Sequence, residues 1–321
     1  MFPDQALSLF FASLKVSLPT FSWVMLGLVL ARLGLLREGL VTALSRLAFS
    51  FILPLMLLIG AARVDYSSLG DARYLLAGVL ATLVTVFCSW GYSRWRGHPR
   101  AQQGIFVQAS FRSNLAIIGI ALAVAAYGDR GTVLAALPVA VMTALYNVLA
   151  VWVLNTTLGR DSAPVAILLG IARNPLIIGI AIGVLLSVLG VPLPSGAESL
   201  GELISDYFLP VMLLCIGGAM KLSHLRGAGA ITWEATLWRL CIAPLLGVFI
   251  AVAMGVRGEQ LGVLFLLLSS PVAAASFVMV VAARGDGVLA ANIVVLSTLL
   301  SMLTVTLGFF LLSLWLQVNP G

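Results

Sequence analysis

Charge is what this sequence lacks. Only 9% of its 321 residues are Asp, Glu, Lys or Arg, against roughly 25% in a soluble domain, so no water-facing surface can be assembled from them. Histidine is scarcer still: there are two, His98 and His224, and neither sits in an HExxH pattern, so a zinc protease cannot be built. The deep carboxylates are too few for a paired-acid or serine-type centre. An intramembrane enzyme is therefore the remote alternative, and the expectation is no enzyme and no cofactor. The three cysteines, Cys88, Cys215 and Cys241, lie scattered in apolar stretches and suggest neither a disulfide framework nor a metal site. A cationic leader is missing too: Met1 to Leu7 carries Asp4 and no Lys or Arg, and it runs into an apolar stretch too long for a signal h-region. The first hydrophobic segment is expected to stay.

What is present is apolar. Hydrophobic residues make up 61% of the chain, and its mean hydropathy is +1.11. Runs near twenty residues recur throughout, the length needed to cross a hydrocarbon core about 30 Å thick. Breaks at charged, Gly and Pro positions divide the chain into ten spans, near 7–30, 39–62, 74–93, 103–126, 132–156, 164–190, 200–220, 231–254, 260–283 and 288–316. Such lengths suit helices, which satisfy their own backbone in lipid, rather than the shorter alternating strands of a barrel. The expected fold is an all-α integral membrane protein. The net charge of +6 is spread over short loops rather than gathered in a patch, so nucleic acid is not expected as a partner; the lipid bilayer is. Nine basic residues, among them Arg94, Arg96, Arg100 and Arg284, follow odd-numbered spans, whereas the opposite loops and the tails hold only Arg63, Arg73, Arg130 and Arg257. The positive-inside rule then places both termini outside the cytoplasm.

The chain also repeats itself. Leu53-Pro54-Leu55-Met56-Leu57-Leu58 returns as Leu209-Pro210-Val211-Met212-Leu213-Leu214, an offset of 156 (209 − 53). The same offset pairs Pro19 with Pro175, Gly27 with Gly183 and Gly34 with Gly190 without a gap. This divides the chain into a first five-helix unit over 1–157, a cytoplasmic linker over 158–163 and a second unit over 164–321. Because five is odd, the second copy enters the membrane from the opposite face, and inverted repeats of this kind are a common plan of secondary transporters. A passive anion uniporter or channel shares every compositional feature and remains the alternative.

In such carriers, substrates bind where helices are interrupted at mid-bilayer. Span 4 holds Phe111-Arg112-Ser113-Asn114, and span 9 holds Ser269-Ser270-Pro271 where the repeat predicts, with Asn114 opposite Pro271. Arg112 cannot be neutralised and is expensive in lipid unless it faces a cavity or a partner. An anionic substrate is one such partner; a structural acid, or a side chain reaching for the interface, is the other reading. For Ser269, Ser270 and Pro271 the other reading is a proline kink. Asn147, Asn292, Ser297 and Thr298 are candidate cavity residues or interhelical hydrogen-bond formers. Glu202 and Asp206 are candidate coupling-ion ligands or helix N-terminal acids. Gly179 and Gly183 have GxxxG spacing, a packing signal.

The string from Phe111 to Leu122, Phe-Arg-Ser-Asn-Leu-Ala-Ile-Ile-Gly-Ile-Ala-Leu, resembles the span-4 signature of the auxin efflux carrier family. Asn174-Pro175-Leu176-Ile177-Ile178-Gly179, Ser270-Pro271-Val272-Ala273 and Ser297-Thr298-Leu299-Leu300-Ser301 match in kind and order. The resemblance spans nearly the whole chain. It implies a bacterial member that moves a small organic acid, and a ten-helix fold like that of bile-acid/sodium symporters. Spans 1, 2, 6 and 7 would form a scaffold, and spans 3–5 and 8–10 a transport domain that moves as an elevator. The resemblance also implies a homodimer, with Arg112, Ser113, Asn114, Ser270 and Pro271 at the crossing of spans 4 and 9. Family members often carry Pro where this chain has Ala121, and Asn114 replaces a proline at the crossover position.

Overall fold

The computed structural model describes residues 3–62, 72–158, 175–194, 196–203, 207, 209–218, 220 and 229–318. Among them the structure is helical throughout, and the one β-type contact is an isolated bridge between Ser113 and Val272. In chain order the helices are α1 (Pro3–Arg32), α2 (Glu38–Leu47), α3 (Leu53–Ala62), α4 (Ala72–Trp95), α5 (Arg100–Phe111), α6 (Ile120–Leu158), α7 (Pro175–Val188), α8 (Ala197–Leu203), α9 (Leu209–Gly218), α10 (Ala230–Leu237), α11 (Ala243–Ala253), α12 (Gly258–Ser269), α13 (Ala274–Ala282) and α14 (Gly287–Val318). Single π-helical turns join α2 to α3, lead into α6 over Leu115–Gly119, and join α10 to α11 over Trp238–Ile242.

Five helical stretches among the described residues are long and apolar enough to cross a membrane: Leu7–Arg32, Arg73–Trp95, Leu115–Leu158, Ala230–Ala253 and Gly287–Gln317. The chain is a multi-pass membrane protein. The long third stretch turns at Gly128, whose φ of 58° and ψ of −141° lie where only glycine is comfortable. This separates the expected spans 4 and 5. α5 and α12, twelve residues each, stop well short of a full crossing. Residues 159–163 of the expected linker and 164–174 of the expected sixth span lie outside the described residues, as does Asp206.

Two helix pairs make the most intimate contacts, α1 with α9 and α3 with α7. They do so through glycine. A Cβ on Gly27 would land on the Leu214 carbonyl of α9, and a Cβ on Gly183 would land on the Leu58 carbonyl of α3. These are one contact made twice with the partners exchanged, since Gly27 and Gly183, like Leu58 and Leu214, are 156 residues apart. Without an apolar driving force between helices in lipid, such backbone approach supplies the dispersion contact that holds a bundle together. Gly179 of the expected GxxxG pair takes part as well, against the Pro54 carbonyl.

Alanine at Gly27 or Gly183 is expected to force α1 from α9 or α3 from α7, at a cost of about 1–3 kcal/mol. Thermal unfolding in detergent measures it. Gly91→Ala, on a face of α4 with nothing near the added carbon, serves as the neutral control.

Candidate functional site

α12 ends for a local reason. Pro271 has no N–H to continue the helix, and it drives the preceding Ser270 into extended geometry, φ −58° and ψ 146°. α5 ends without a proline: Arg112 (φ −82°, ψ 82°) and Asn114 (φ −80°, ψ 65°) leave helical space, and the chain restarts in the π-helical turn from Leu115. The two breaks lie against each other. Asn114 N–H donates to the Pro271 carbonyl (2.8 Å) and Ala273 N–H to the Arg112 carbonyl (3.1 Å), a short antiparallel pairing centred on Ser113 and Val272. Val272 N–H turns instead to the Ser297 hydroxyl of α14, 3.2 Å away. The extended residues of each break thus find backbone donors and acceptors in the other.

This pairing strands acceptors. In an unbroken helix Asn114 N–H would serve the Ser110 carbonyl, and Val272 N–H would serve that of Leu268. With both donors diverted, the carbonyl ends of α5 and α12 face the interior unpaired, each also the negative end of a helix dipole. Arg239 answers both. Fully buried in the π-helical turn between α10 and α11, its Nη1 donates to the Ser110 carbonyl (3.1 Å) and the Phe111 carbonyl (2.7 Å). Its Nη2 donates to the Leu268 carbonyl.

Arg112 is placed differently. It is 7% exposed, and its Nη2 donates to the Asn147 side-chain carbonyl of α6 at 2.7 Å. Its Nε and Nη1 have no hydrogen-bond partner. Among the described residues no carboxylate pairs with Arg112, so the structural-acid reading finds no acid. Ser113 meets the Tyr146 hydroxyl at 3.1 Å. At the start of α13, beside the break, Ala274 and Ala275 are exposed.

The other expected residues divide. Ser269 and Ser270 donate their hydroxyls back to the Leu266 carbonyl, at 3.4 Å and 2.9 Å, which closes the last turn of α12. Ser297 is part of the crossing through Val272 and also donates to the Val294 carbonyl (3.1 Å), and Thr298 donates to the same carbonyl at 2.7 Å. Asn292 is buried with its side-chain carbonyl unpaired. Glu202 belongs to α8, but its side chain, like the whole of Asp206, lies outside the described residues.

Sequence reasoning passed over Arg239 and Tyr146. Arg239 carried a signal: an arginine in the middle of an apolar span is costly in the same way as Arg112. Tyr146 carried none, because a tyrosine next to Asn147 reads as ordinary packing. Replacing Arg239 with Met, similar in reach but without donors, is expected to strand the carbonyls of Ser110 and Leu268, while that of Phe111 keeps the Ser113 N–H. The cost is about 1 kcal/mol or more for each, read as a lower unfolding temperature and a loss of monodisperse protein in detergent.

Known proteins agree on the class. The family model described as membrane transport protein matches residues 13–308. An uncharacterized transporter of Methanothermobacter thermautotrophicus is 24% identical over 302 residues, covering 93% of this chain and 98% of its own. The uncharacterized transporter YfdV of Escherichia coli K12 is 21% identical over 258 residues, covering 78% of this chain and 81% of its own. The all-helical, multi-pass architecture, the broken helices and the family match over most of the chain lead to one assignment: this chain belongs to the membrane transport protein family, the auxin efflux carriers that its motifs resemble.

Proposed function

We propose that the chain is a secondary transporter that moves a small organic anion, a carboxylate or an auxin-like acid, by alternating access with Arg112 as the anion-binding group. The observation that carries this is the guanidinium itself: buried, hydrogen-bonded to one neutral amide, with Nε and Nη1 unpartnered and, among the described residues, no acid paired with it. A cation held so favours a counter-charge, and an anionic ligand is a source of one. A carboxylate supplies one through charge-assisted hydrogen bonds. Ser113, Tyr146 and Asn147 bring further polar groups close by, and the positive end of the α13 dipole adds to the attraction.

The proposed frame is ten spans in two five-helix units, 1–157 and 164–321, facing opposite ways. The exchanged Gly27–Leu214 and Gly183–Leu58 contacts support it, as does the meeting of the two breaks at Asn114 and Pro271. In this reading α1, α2–α3, α7 and α8–α9 are the scaffold, and α4–α6 with α10–α14 form the moving domain, which slides as an elevator. The setting is a bacterial inner membrane with both termini periplasmic, and the assembly is a homodimer. Coupling to protons or sodium through Glu202 and Asp206 belongs to the same proposal.

Arg112→Ala is expected to lower anion affinity about tenfold to a hundredfold, the worth of one or two charge-assisted hydrogen bonds. Arg112→Lys, which keeps the charge but loses the fork, is expected to fall between. A panel of mono- and dicarboxylates, screened by thermal shift and then by uptake into proteoliposomes, supplies the ligand. Unchanged uptake by a folded Arg112→Ala variant refutes the assignment. Asn147→Asp offers a complementary test: it gives Arg112 an internal carboxylate, so it is expected to weaken anion binding while keeping or raising thermal stability.

A further inference from the structure

We infer that Arg239 is a tethered resident cation: its guanidinium permanently fills a carbonyl-lined site, formed by the ends of α5 and α12, that would otherwise take a free alkali cation. Carriers with interrupted helices use unwound carbonyls and half-helix C-terminal ends to coordinate a coupling cation, commonly sodium. Here the same kind of ligand set is assembled from the Ser110, Phe111 and Leu268 carbonyls, contributed by two helix ends. The occupant is a side chain from a third element, the turn Trp238–Ile242. The assignment rests on geometry at several points. The Ser110 and Leu268 carbonyls are freed because Asn114 and Val272 N–H bond elsewhere, and the Phe111 carbonyl accepts from Ser113 N–H with its second lone pair turned to Arg239. The guanidinium is fully buried, and among the described residues no carboxylate pairs with it. Its remaining nitrogen, Nε, has no partner, and besides those carbonyls the guanidinium meets the Tyr146 hydroxyl.

The consequence concerns coupling. With its positive charge supplied by the chain, the crossing keeps the same charge through the transport cycle and has no place for sodium beside the substrate. Any coupling ion must then bind away from the crossing. The functional meaning rests on the proposed transport role of the crossing, whereas the occupancy stands on the contacts alone, and its test requires no anion.

The test compares thermal unfolding of purified protein in sodium chloride and in choline chloride at equal ionic strength. Glu202→Gln and Asp206→Asn are carried in every variant, so that the proposed ion site in span 7 does not contribute. The background protein is expected to be indifferent to sodium. Arg239→Ala is expected to unfold at lower temperature, to gain a saturable rise with sodium, and to recover at least half of its lost stability with millimolar ethylguanidinium but not with tetramethylammonium. Arg239→Lys, which keeps a tethered charge, covers the case in which the alanine variant does not fold; it is expected to lose stability yet stay indifferent to sodium. A saturable sodium response in the background protein or in the lysine variant overturns the inference. So does a folded Arg239→Ala variant that neither cation stabilises. Loss of anion binding in Arg112→Ala bears on the proposed function and leaves this result untouched.

Discussion

A backbone that leaves the helix inside a membrane must find partners for every group it uncovers, because hydrocarbon offers none. Two helices break here at one place, and each break on its own would leave extended peptide units without donors or acceptors. Set against each other, they pair as a fragment of sheet through Asn114, Pro271, Arg112 and Ala273. The hydroxyl of Ser297 takes the leftover donor of Val272. Arg239 takes the carbonyls of Ser110, Phe111 and Leu268. The crossing thus draws its hydrogen bonds from four parts of the chain, and removing one contributor leaves a stranded group in the interior.

The two buried arginines divide the electrostatic work. Arg239 is spent on the negative ends of α5 and α12, whereas Arg112, on the other side of the same break, gives one hydrogen bond to the neutral Asn147. If Arg239 were absent, the helix-end carbonyls would compete with any ligand for the positive charge of Arg112. With them satisfied, the uncommitted donors of Arg112 dominate the polar side of the break.

Much of this was legible before any coordinates. Composition alone required a membrane protein, and the 156-residue offset announced the partnership of Gly27 with Gly183 and of Leu58 with Leu214. The interruption of span 9 follows from Pro271, since a proline has the same local effect wherever it stands. The interruption of span 4 was less secure because no proline enforces it. Asn114 leaves the helix there because a cross-break bond rewards it, and such a bond is visible only in three dimensions. Ser269 and Ser270 show the opposite limit: polar residues beside a break read as ligand groups, yet their hydroxyls close their own helix turn. The role of Arg239 depended on which carbonyls would lose their donors, and no single stretch of sequence records that.

The reciprocal helix contacts are duplicated, but Arg239 is not. Subtracting the repeat offset from it (239 − 156) gives position 83, which is Leu83. A group that bridges the ends of both half-helices is needed once, because one guanidinium reaches both ends. A second guanidinium there would crowd like charges together with too few acceptors between them. On the inverted-repeat reading, the ancestral single unit, assembling as a pair of identical chains, faced the problem of fitting two such arginines or none. On the same reading, a single chain carrying both copies is free of that restriction, since each half can keep what the other could not tolerate.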